Sequence, residues 1–287
     1  MGDLPRPTAE QLSTLRGFER VAFGIADTVN RRPLLKRASH TFLRTVGATW
    51  VHLATRNLLQ VNGLSHLQAL RPEGGVLLVC NHRSFFDLYV VASVLLRRTD
   101  WVREMFFPVR GDYFYQRPDG VVVNALMSAM AMYPPVMRQG RQHDFNRFTS
   151  DALGRLLRRP GTVVGVHPEG TRNKTGDPYT LLPAQPGVGQ MAHQSRATVL
   201  PVWILGLGNR IVEQIRTNFA DEASRHAATI TLVFGEPVEL SAFHDRPARL
   251  RTYKELADHL REMLMALGEE ERRLRAEAGL PELGPPR

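Results

Sequence analysis

Two side chains capable of acid–base chemistry stand five positions apart in the segment NHRSFFD, namely His82 and Asp87. The apolar residues 75–80 predict a short buried strand, and the apolar run that begins at Phe85 predicts a helix. Ser84 is expected to cap the N-terminus of that helix. Across such a turn a carboxylate can hold one imidazole nitrogen while the other remains free to accept a proton. The segment therefore predicts a general base, His82, that is oriented by Asp87.

A second polar segment, HPEGTRN at 167–173, directly follows another predicted strand, 162–166. Its residue types suit a phosphorylated hydroxyl compound. Glu169 can accept a hydrogen bond from a hydroxyl, Gly170 lets backbone approach a ligand closely, and Arg172 can grip a phosphate through its planar guanidinium group. Taken alone, the segment could equally be a polar turn with a local Glu/Arg pair.

Together the two segments resemble motifs of the glycerolipid acyltransferases, the family that includes 1-acylglycerol-3-phosphate acyltransferase. NHRSFFD is similar to the first motif, N-H-x4-D, and residues 168–172 are similar to the third motif, F-P-E-G-T-R-S. His167 stands where that motif has Phe, which puts the packing behind the site in doubt. LPVWI at 200–204 resembles the fourth motif, and Gln185 replaces a lysine that is usual in the family. The resemblance spans about residues 81–204.

The second family motif, G-x-x-F-I-x-R, has two candidates in this chain. GDYFYQR, which ends at Arg117, matches the letters better, but its arginine lies 52 residues before Glu169. MYPPVMR, which ends at Arg138, lacks the Gly and Phe, but it lies 31 residues before Glu169, and only one predicted helix separates it from the strand 162–166. The phosphate-binding role is therefore assigned to Arg138, with Arg117 as the alternative.

The resemblance implies an O-acyltransferase that uses the thioester of acyl-CoA or acyl carrier protein and requires no metal or other cofactor. The expected acceptor is a lysophospholipid, and two arginines near the cleft favour lysophosphatidic acid, which would give phosphatidic acid. A different or uncharged lysolipid is the alternative acceptor. The residues expected to act are two catalytic ones, His82 and Asp87, and five that bind substrate, Arg138, Glu169, Gly170, Thr171 and Arg172.

The order of predicted elements indicates an α/β fold. Strands alternate with helices, which is typical of a mostly parallel sheet covered by helices on both faces. Ligands in such folds bind beyond the C-terminal ends of the strands, where His82 is expected to lie. The predicted strands are 58–63, 76–80, 105–109, 162–166, 199–205 and 229–234, and the helices between them are 85–97, 120–132, 145–158 and 187–195.

Composition excludes several other classes of protein. The formal net charge is +9, and only three of the 37 Lys and Arg residues are lysine. Arginine suits an anionic partner, although a codon bias would give the same count. No segment has the spacing of a zinc site or of a P-loop, and no nucleic-acid partner is expected. One cysteine, Cys80, is compatible with a reducing cytoplasm and rules out an internal disulfide.

Residues 1–60 are expected to form amphipathic helices, at 8–30 and 33–59, because apolar residues recur there at helical spacing. These helices are expected to be basic, because residues 1–60 contain nine Lys and Arg residues but only four Asp and Glu residues. Such a surface suits peripheral attachment to the cytoplasmic face of an anionic membrane; packing on the core is the alternative. No secretory signal or spanning helix is predicted. Residues 61–279 form the predicted acyltransferase domain, in which 249–279 is a charged helix, and 280–287 form a tail.

Two other functions are compatible with the same residues. In the first, Cys80 acts as a nucleophile, because it shares a face with His82 on an extended segment and the pair permits transient acylation. In the second, the protein keeps the fold but only binds lipid as a membrane adaptor. That adaptor would be recognised by a broken base or orienting residue, and this chain retains both His82 and Asp87.

Overall fold

The computed structural model of the protein describes residues 4–138 and 143–283, and a six-stranded sheet lies at its centre. The strand order is β1-β8-β7-β2-β6-β3, and two further short strands, β4 and β5, pair with each other. The strands are β1 Leu59–Asn62, β2 Val76–Cys80, β3 Glu104–Phe106, β4 Val109–Arg110, β5 Pro135–Val136, β6 Thr162–Val166, β7 Thr198–Leu205 and β8 Ile230–Phe234.

Helices cover both faces of this sheet. A π-helical turn at Leu43–Gly47 joins α3 to α4. The α-helices are α1 Ala9–Ser13, α2 Gly17–Arg31, α3 Pro33–Phe42, α4 Ala48–Thr55, α5 Leu64–Ala69, α6 Asp87–Arg98, α7 Gly111–Phe114, α8 Pro118–Ser128, α9 His143–Leu156, α10 Pro186–Ser195, α11 Ile211–Asn218, α12 Glu222–Ala227, α13 Ser241–His244 and α14 Leu250–Glu277.

The sheet is mostly parallel, as the sequence predicts. All pairs within the six-stranded sheet are parallel except β7 with β8, which is antiparallel. In the register of the central strands, Val79 of β2 lies opposite Val166 of β6 and Pro201 of β7. Because parallel strands end at the same edge, the loops that follow β2 and β6 meet there. This register brings the two sequence motifs together.

Alternate residues of β2 pack into two separate apolar layers, as the period of a strand requires. Leu77 and Val79 belong to the layer that contains α9, α10 and α14. Val76 and Leu78 belong to the layer that contains α4 and α6. All five residues of β2 are buried, which explains why its sequence is continuously apolar rather than alternating.

Several predicted elements differ in the structure. The helices predicted at 8–30 and 33–59 are divided into α1 to α4 with the π-helical turn, and the helix predicted at 120–132 ends at Ser128. The strand predicted at 105–109 is interrupted after Phe106, because the N–H of Phe107 donates to the carbonyl of Ala131 and Pro108 has no N–H to continue the ladder. The helix predicted from 85 begins instead at Asp87, and Ser84 is not its cap. The hydroxyl of Ser84 donates to the carbonyl of Gly208, a loop contact that the sequence did not predict.

The N-terminal helices pack on the body of the protein through one face. Lys36 of α3 is buried, and its Nζ donates to Asn30 Oδ1 at 2.8 Å and to the Met105 carbonyl at 3.0 Å. The same ammonium group lies 3.7 Å from the centre of the Phe106 ring. Burial lowers the pKa of Lys36 to about 7, although Glu104 opposes this shift. These contacts join α2 and α3 to strand β3.

The other face of these helices is apolar and exposed. Leu34 is 79% exposed, and seven further apolar side chains of this region are exposed as well: Phe18, Val21, Ile25, Leu35, Phe42, Val46 and Leu53. The N-terminal helices therefore pack on the core and also present apolar side chains to solvent. We refer to these eight side chains as the exposed apolar face.

The domain boundary predicted at residue 60 falls inside β1. This strand pairs with β8 along its whole length, so the sheet already includes the end of the N-terminal region. At the other end, Leu280 is buried and its N–H donates to the carbonyl of Arg275, so the tail begins against α14. Positions 284–287 of the predicted tail lie outside the described residues.

The helices of residues 4–138 and 143–283 include none that is both long and apolar enough to cross a bilayer.

Candidate active site

His82 and Asp87 form the predicted contact at the C-terminal end of β2. His82 Nδ1 lies 3.1 Å from Asp87 Oδ2. Because a carboxylate can only accept, this contact fixes the proton of the neutral ring on Nδ1 and leaves Nε2 as an acceptor. The His82 side chain is 19% exposed, whereas Asp87 is 1% exposed. A base that can reach a substrate is thus held by a buried carboxylate.

Asp87 organises the whole turn before α6. Besides the imidazole, its Oδ2 accepts the backbone N–H groups of Arg83 and Ser84, both at 2.8 Å. Burial raises the pKa of Asp87, while the nearby ring of His167 and the hydrogen bonds from these two N–H groups oppose the shift. Three donors converging on one oxygen match the ionised carboxylate, because a carboxylate accepts more strongly than a neutral acid. The carboxylate therefore replaces Ser84 as the group that closes the turn.

The surroundings of His82 keep its ring neutral. Burial lowers its pKa well below the usual range, and the nearby charge of Arg172 lowers it further, while a hydrogen bond with the Ser84 backbone opposes the shift. At pH 7 the imidazole therefore carries an unprotonated Nε2. This is the protonation state that a general base requires.

Glu169 ties the two motifs together and does not present a free oxygen to a ligand. Its Oε1 accepts the backbone N–H of His82, and its Oε2 accepts that of Leu182, both at 2.9 Å. Glu169 is 2% exposed. The sequence predicts a contact between this carboxylate and a substrate hydroxyl, but in the structure both oxygens already accept hydrogen bonds from the protein. These two hydrogen bonds tie the backbone of His82 to that of Leu182.

The His82 backbone is also held from its other side. The N–H of Asn173 donates to the carbonyl of His82 at 2.8 Å. The side chain of Asn81 pairs with Ile204 of β7 through two hydrogen bonds, one to its carbonyl and one from its N–H. The backbone at 81–82 is thus held by the loop that follows β6 and by strand β7 itself.

Arg172 lies beside the catalytic turn, as the resemblance implies. Its Nη1 donates to Asn209 Oδ1 at 2.7 Å, and the same oxygen accepts the N–H of Phe85 at 3.0 Å. Asn209 therefore links the third motif to the first. Sequence reasoning missed this residue, because it lies in the loop after β7 where no motif marks it.

Arg138, and not Arg117, contacts the loop of the third motif. Its guanidinium group donates to the carbonyl of Gly170. Gly170 has φ +65°, a conformation that favours glycine, and a side chain there would press on Gln185. Arg117 instead forms an exposed salt bridge of 2.8 Å with Asp119. Of the two candidate arginines, Arg138 is therefore the one that lies against the third motif. Thr171 is half-buried in the loop that contains Gly170.

His167 replaces the family's Phe without loss of an aromatic contact. Its ring stacks on that of His82 with centroids 3.7 Å apart and planes within 7°. Its Nδ1 lies 3.0 Å from the Cys80 carbonyl, which can only accept, so Nδ1 carries the proton. Burial lowers the pKa of His167, and the adjacent ring of His82 lowers it further. A neutral aromatic ring therefore backs the base.

The ring and carboxylate atoms of His82, Asp87 and His167 lie within 4.8 Å of one another, close enough to consider a metal ion. The geometry does not fit one. Imidazole lone pairs lie in the ring plane, and those of two parallel stacked rings do not converge on a single point. The cluster matches a hydrogen-bonded base better than a ligand set.

Cys80 is placed for packing rather than for nucleophilic attack. Its side chain is fully buried in β2, and burial raises the pKa of its thiol well above the usual range, with Asp87 and Glu169 adding to the shift. Only the thiolate is a strong nucleophile. The geometry therefore gives no support to an acylated cysteine.

Comparison with known proteins identifies the class. Residues 59–205, about half of the chain, match the family model described as Acyltransferase, and this match includes both motifs. The chain belongs to the acyltransferase family, and the protein is an O-acyltransferase. Among solved structures it is similar to 1-acyl-sn-glycerophosphate (LPA) acyltransferase, PlsC, from Thermotoga maritima. The identity is 16%, the TM-score is 0.51, and the match covers 88% of this chain and 87% of that chain, which supports the fold.

The positioning role of Glu169 is tested by Glu169→Gln. The amide keeps the shape but offers one acceptor oxygen, so the N–H of either His82 or Leu182 faces an NH₂ donor. An unpaired buried donor costs about 1–3 kcal/mol. We expect kcat to fall about tenfold or more while KM for both substrates changes less, as steady-state kinetics will measure.

Asp119→Asn is the matched control, because it makes the same chemical change at an exposed carboxylate and should leave kcat unaltered. Wild-type kcat in a folded Glu169→Gln variant would show that His82 does not depend on this carboxylate for its position.

Proposed function

We propose that the protein transfers an acyl chain from acyl-CoA or acyl carrier protein to the free hydroxyl of lysophosphatidic acid, giving phosphatidic acid. One observation carries the proposal: a neutral His82 with Nδ1 held by Asp87 and Nε2 free to accept a proton. Other lysolipids are the alternative acceptors. The thioester is a co-substrate, and no resident cofactor is needed for the chemistry.

In the proposed reaction the acceptor hydroxyl donates its proton to His82 Nε2 as its oxygen attacks the thioester carbonyl. Asp87 stabilises the imidazolium that forms, through the existing contact with Nδ1. When the tetrahedral intermediate collapses, the C–S bond breaks and the imidazolium returns the proton to the leaving thiolate. One ester forms and one thiol leaves, with no acyl-enzyme. General base catalysis of this kind contributes about 10²- to 10⁴-fold.

Positioning of the acceptor has to supply much of the remaining rate enhancement. Arg172 lies close enough to His82 to influence its pKa. Arg138 contacts the carbonyl of Gly170, which lies in the same loop as Arg172. Two guanidinium groups can hold a phosphate monoester through paired hydrogen bonds. The fold neighbour from Thermotoga maritima is itself described as an LPA acyltransferase, which favours the same acceptor here.

We further propose that the protein works at the cytoplasmic face of an anionic membrane, as a peripheral protein. The exposed apolar face of the N-terminal helices supports this location, because eight large apolar side chains in one region seldom face water without a function. Basic residues of the same helices, including Arg32 and Arg37, suit anionic headgroups. At that location the acyl chains of both substrates could enter the active site from the bilayer.

Two matched variants separate chemistry from membrane attachment. His82→Ala removes the base, so we expect transfer to lysophosphatidic acid to fall at least about 100-fold while the variant still sediments with vesicles that contain phosphatidylglycerol. Leu34→Ser combined with Phe42→Ser should do the reverse, losing sedimentation but keeping turnover on a short-chain, water-soluble acceptor.

If His82→Ala remains as active as the wild type, the protein does not use this base and the enzyme mechanism fails. If the double serine variant sediments as well as the wild type, the N-terminal helices are packing elements only.

The acceptor's phosphate is tested by comparing Arg138→Ala with Arg117→Ala. A charge-assisted hydrogen bond contributes about 1.5–3 kcal/mol, so Arg138→Ala should raise KM for lysophosphatidic acid about tenfold or more and leave KM for monoacylglycerol nearly unchanged. Arg117→Ala should alter neither value, because that arginine is exposed and paired with Asp119.

If KM for lysophosphatidic acid rises in Arg117→Ala and not in Arg138→Ala, the second motif is the segment that ends at Arg117. Equal effects of Arg138→Ala on both acceptors would mean that the acceptor is not a phosphate monoester.

A further inference from the structure

A basic cleft lies between α4, α6 and the edge strand β1. Its volume is about 280 Å³, close to the lower limit of about 300 Å³ for pockets that hold small ligands. The lining combines basic residues with apolar ones. Its lining residues are His52, Arg56, Leu59, Val61, Ser93, Val94, Arg97 and Arg98.

A second cleft of about 450 Å³ adjoins the first and shares Arg97 and Arg98 with it. Arg44 and Arg71 also line this second cleft, and Asp100 is the one carboxylate among the lining residues of the two. The pair of clefts therefore forms one strongly basic depression. Clustered cations that face a depression raise the local concentration of anions.

Three of these arginines are available to a ligand. Arg44 and Arg71 donate to backbone carbonyls of the protein, to Thr99 and Leu70 among others. By contrast, in the part of the chain that the structure describes, the side chains of Arg56, Arg97 and Arg98 have neither a hydrogen bond nor a salt bridge. Like charges gathered without counterions repel one another, so a bound anion would relieve this cost.

The positive potential of the cleft acts on His52, which is one of its lining residues. Burial lowers the pKa of His52, and the charges of Arg97, Arg56 and Arg98, in that order, lower it further. The C-terminal ends of α4 and α6 attract cations, which explains single arginines at these positions. Their partial charges, about half a unit each, do not balance three guanidinium groups. Positive charge remains in excess.

This cleft is separate from the catalytic site. Asp87 begins α6, and Arg97 and Arg98 end it. A helix of 12 residues is about 18 Å long. The acceptor phosphate beside Arg172 therefore cannot be the group that the cleft holds while its hydroxyl is at His82.

We propose that this cleft is a second phosphate-binding site, in which Arg56, Arg97 and Arg98 hold a phosphate-bearing anion away from the catalytic centre. The planar guanidinium groups suit phosphate oxygens, and the volume admits a phosphate with a small organic substituent. The ligand is either an anionic lipid headgroup or a soluble phosphate compound. Leu53 of the exposed apolar face lies one turn before Arg56 on α4, so a headgroup could be bound while its chains stay near that face.

The test combines two binding measurements on the full chain at fixed ionic strength. The first measures pyrophosphate binding by calorimetry, and the second measures sedimentation with phosphatidylcholine vesicles with and without phosphatidic acid. Arg97→Gln with Arg98→Gln is the test variant. The matched control is Arg155→Gln with Arg158→Gln, which removes the same charge from the end of α9 and the turn after it, on the opposite face of the sheet.

We expect the test variant to bind at least tenfold more weakly than the control variant in one or both measurements. A loss for vesicles alone would assign the site to a lipid headgroup, and a loss for pyrophosphate as well would show that a soluble phosphate suffices. Equal binding by the two variants in both measurements would overturn the proposal. Neither measurement requires turnover, so the result does not depend on the catalytic role of His82.

Discussion

The active site depends on the convergence of three N–H donors on a single buried oxygen, Asp87 Oδ2. Two of the donors are backbone groups, so the same carboxylate that orients the imidazole also shapes the turn that carries it. Burial makes an ionised carboxylate costly unless it is hydrogen-bonded, and here the catalytic segment itself supplies three donors to Oδ2, while Oδ1 has no hydrogen-bond partner among the described residues. Removing this carboxylate would therefore disrupt both the turn and the orientation of the imidazole.

The sheet supplies the second constraint, because the register of β2 with β6 and β7 brings three loops to one edge. Glu169 joins the first two loops through backbone N–H groups, and Asn209 joins the third to both through Phe85 and Arg172. The residues that resemble family motifs are thus of two kinds. His82 is partly exposed at this edge, and others, such as Glu169, are buried and hold the loops in place.

Much of this could be predicted from the sequence. Buried strands followed by polar motifs indicated both the α/β fold and the meeting of His82 with Asp87, because strand ends and helix starts fix local geometry. Contacts between distant loops could not be predicted. The partners of Glu169 and Ser84 depend on the strand order, which periodicity does not encode, and Asn209 lies in a loop without a motif. The predicted boundary at residue 60 falls inside β1, whose pairing with β8 is a contact between residues far apart in the chain that a local pattern does not encode.

The state of the His82 ring is the most direct measure of the central claim, and nitrogen NMR of the ring, assigned with His82→Ala, reports it as the pH is lowered. The expected spectrum at pH 7 has a protonated Nδ1 and an unprotonated Nε2. The ring should remain neutral well below pH 6, because burial and Arg172 lower its pKa. Half-protonation near pH 6.5, the ordinary value for histidine, or a proton on Nε2 in the neutral ring, would contradict a base that is held and kept neutral by its surroundings.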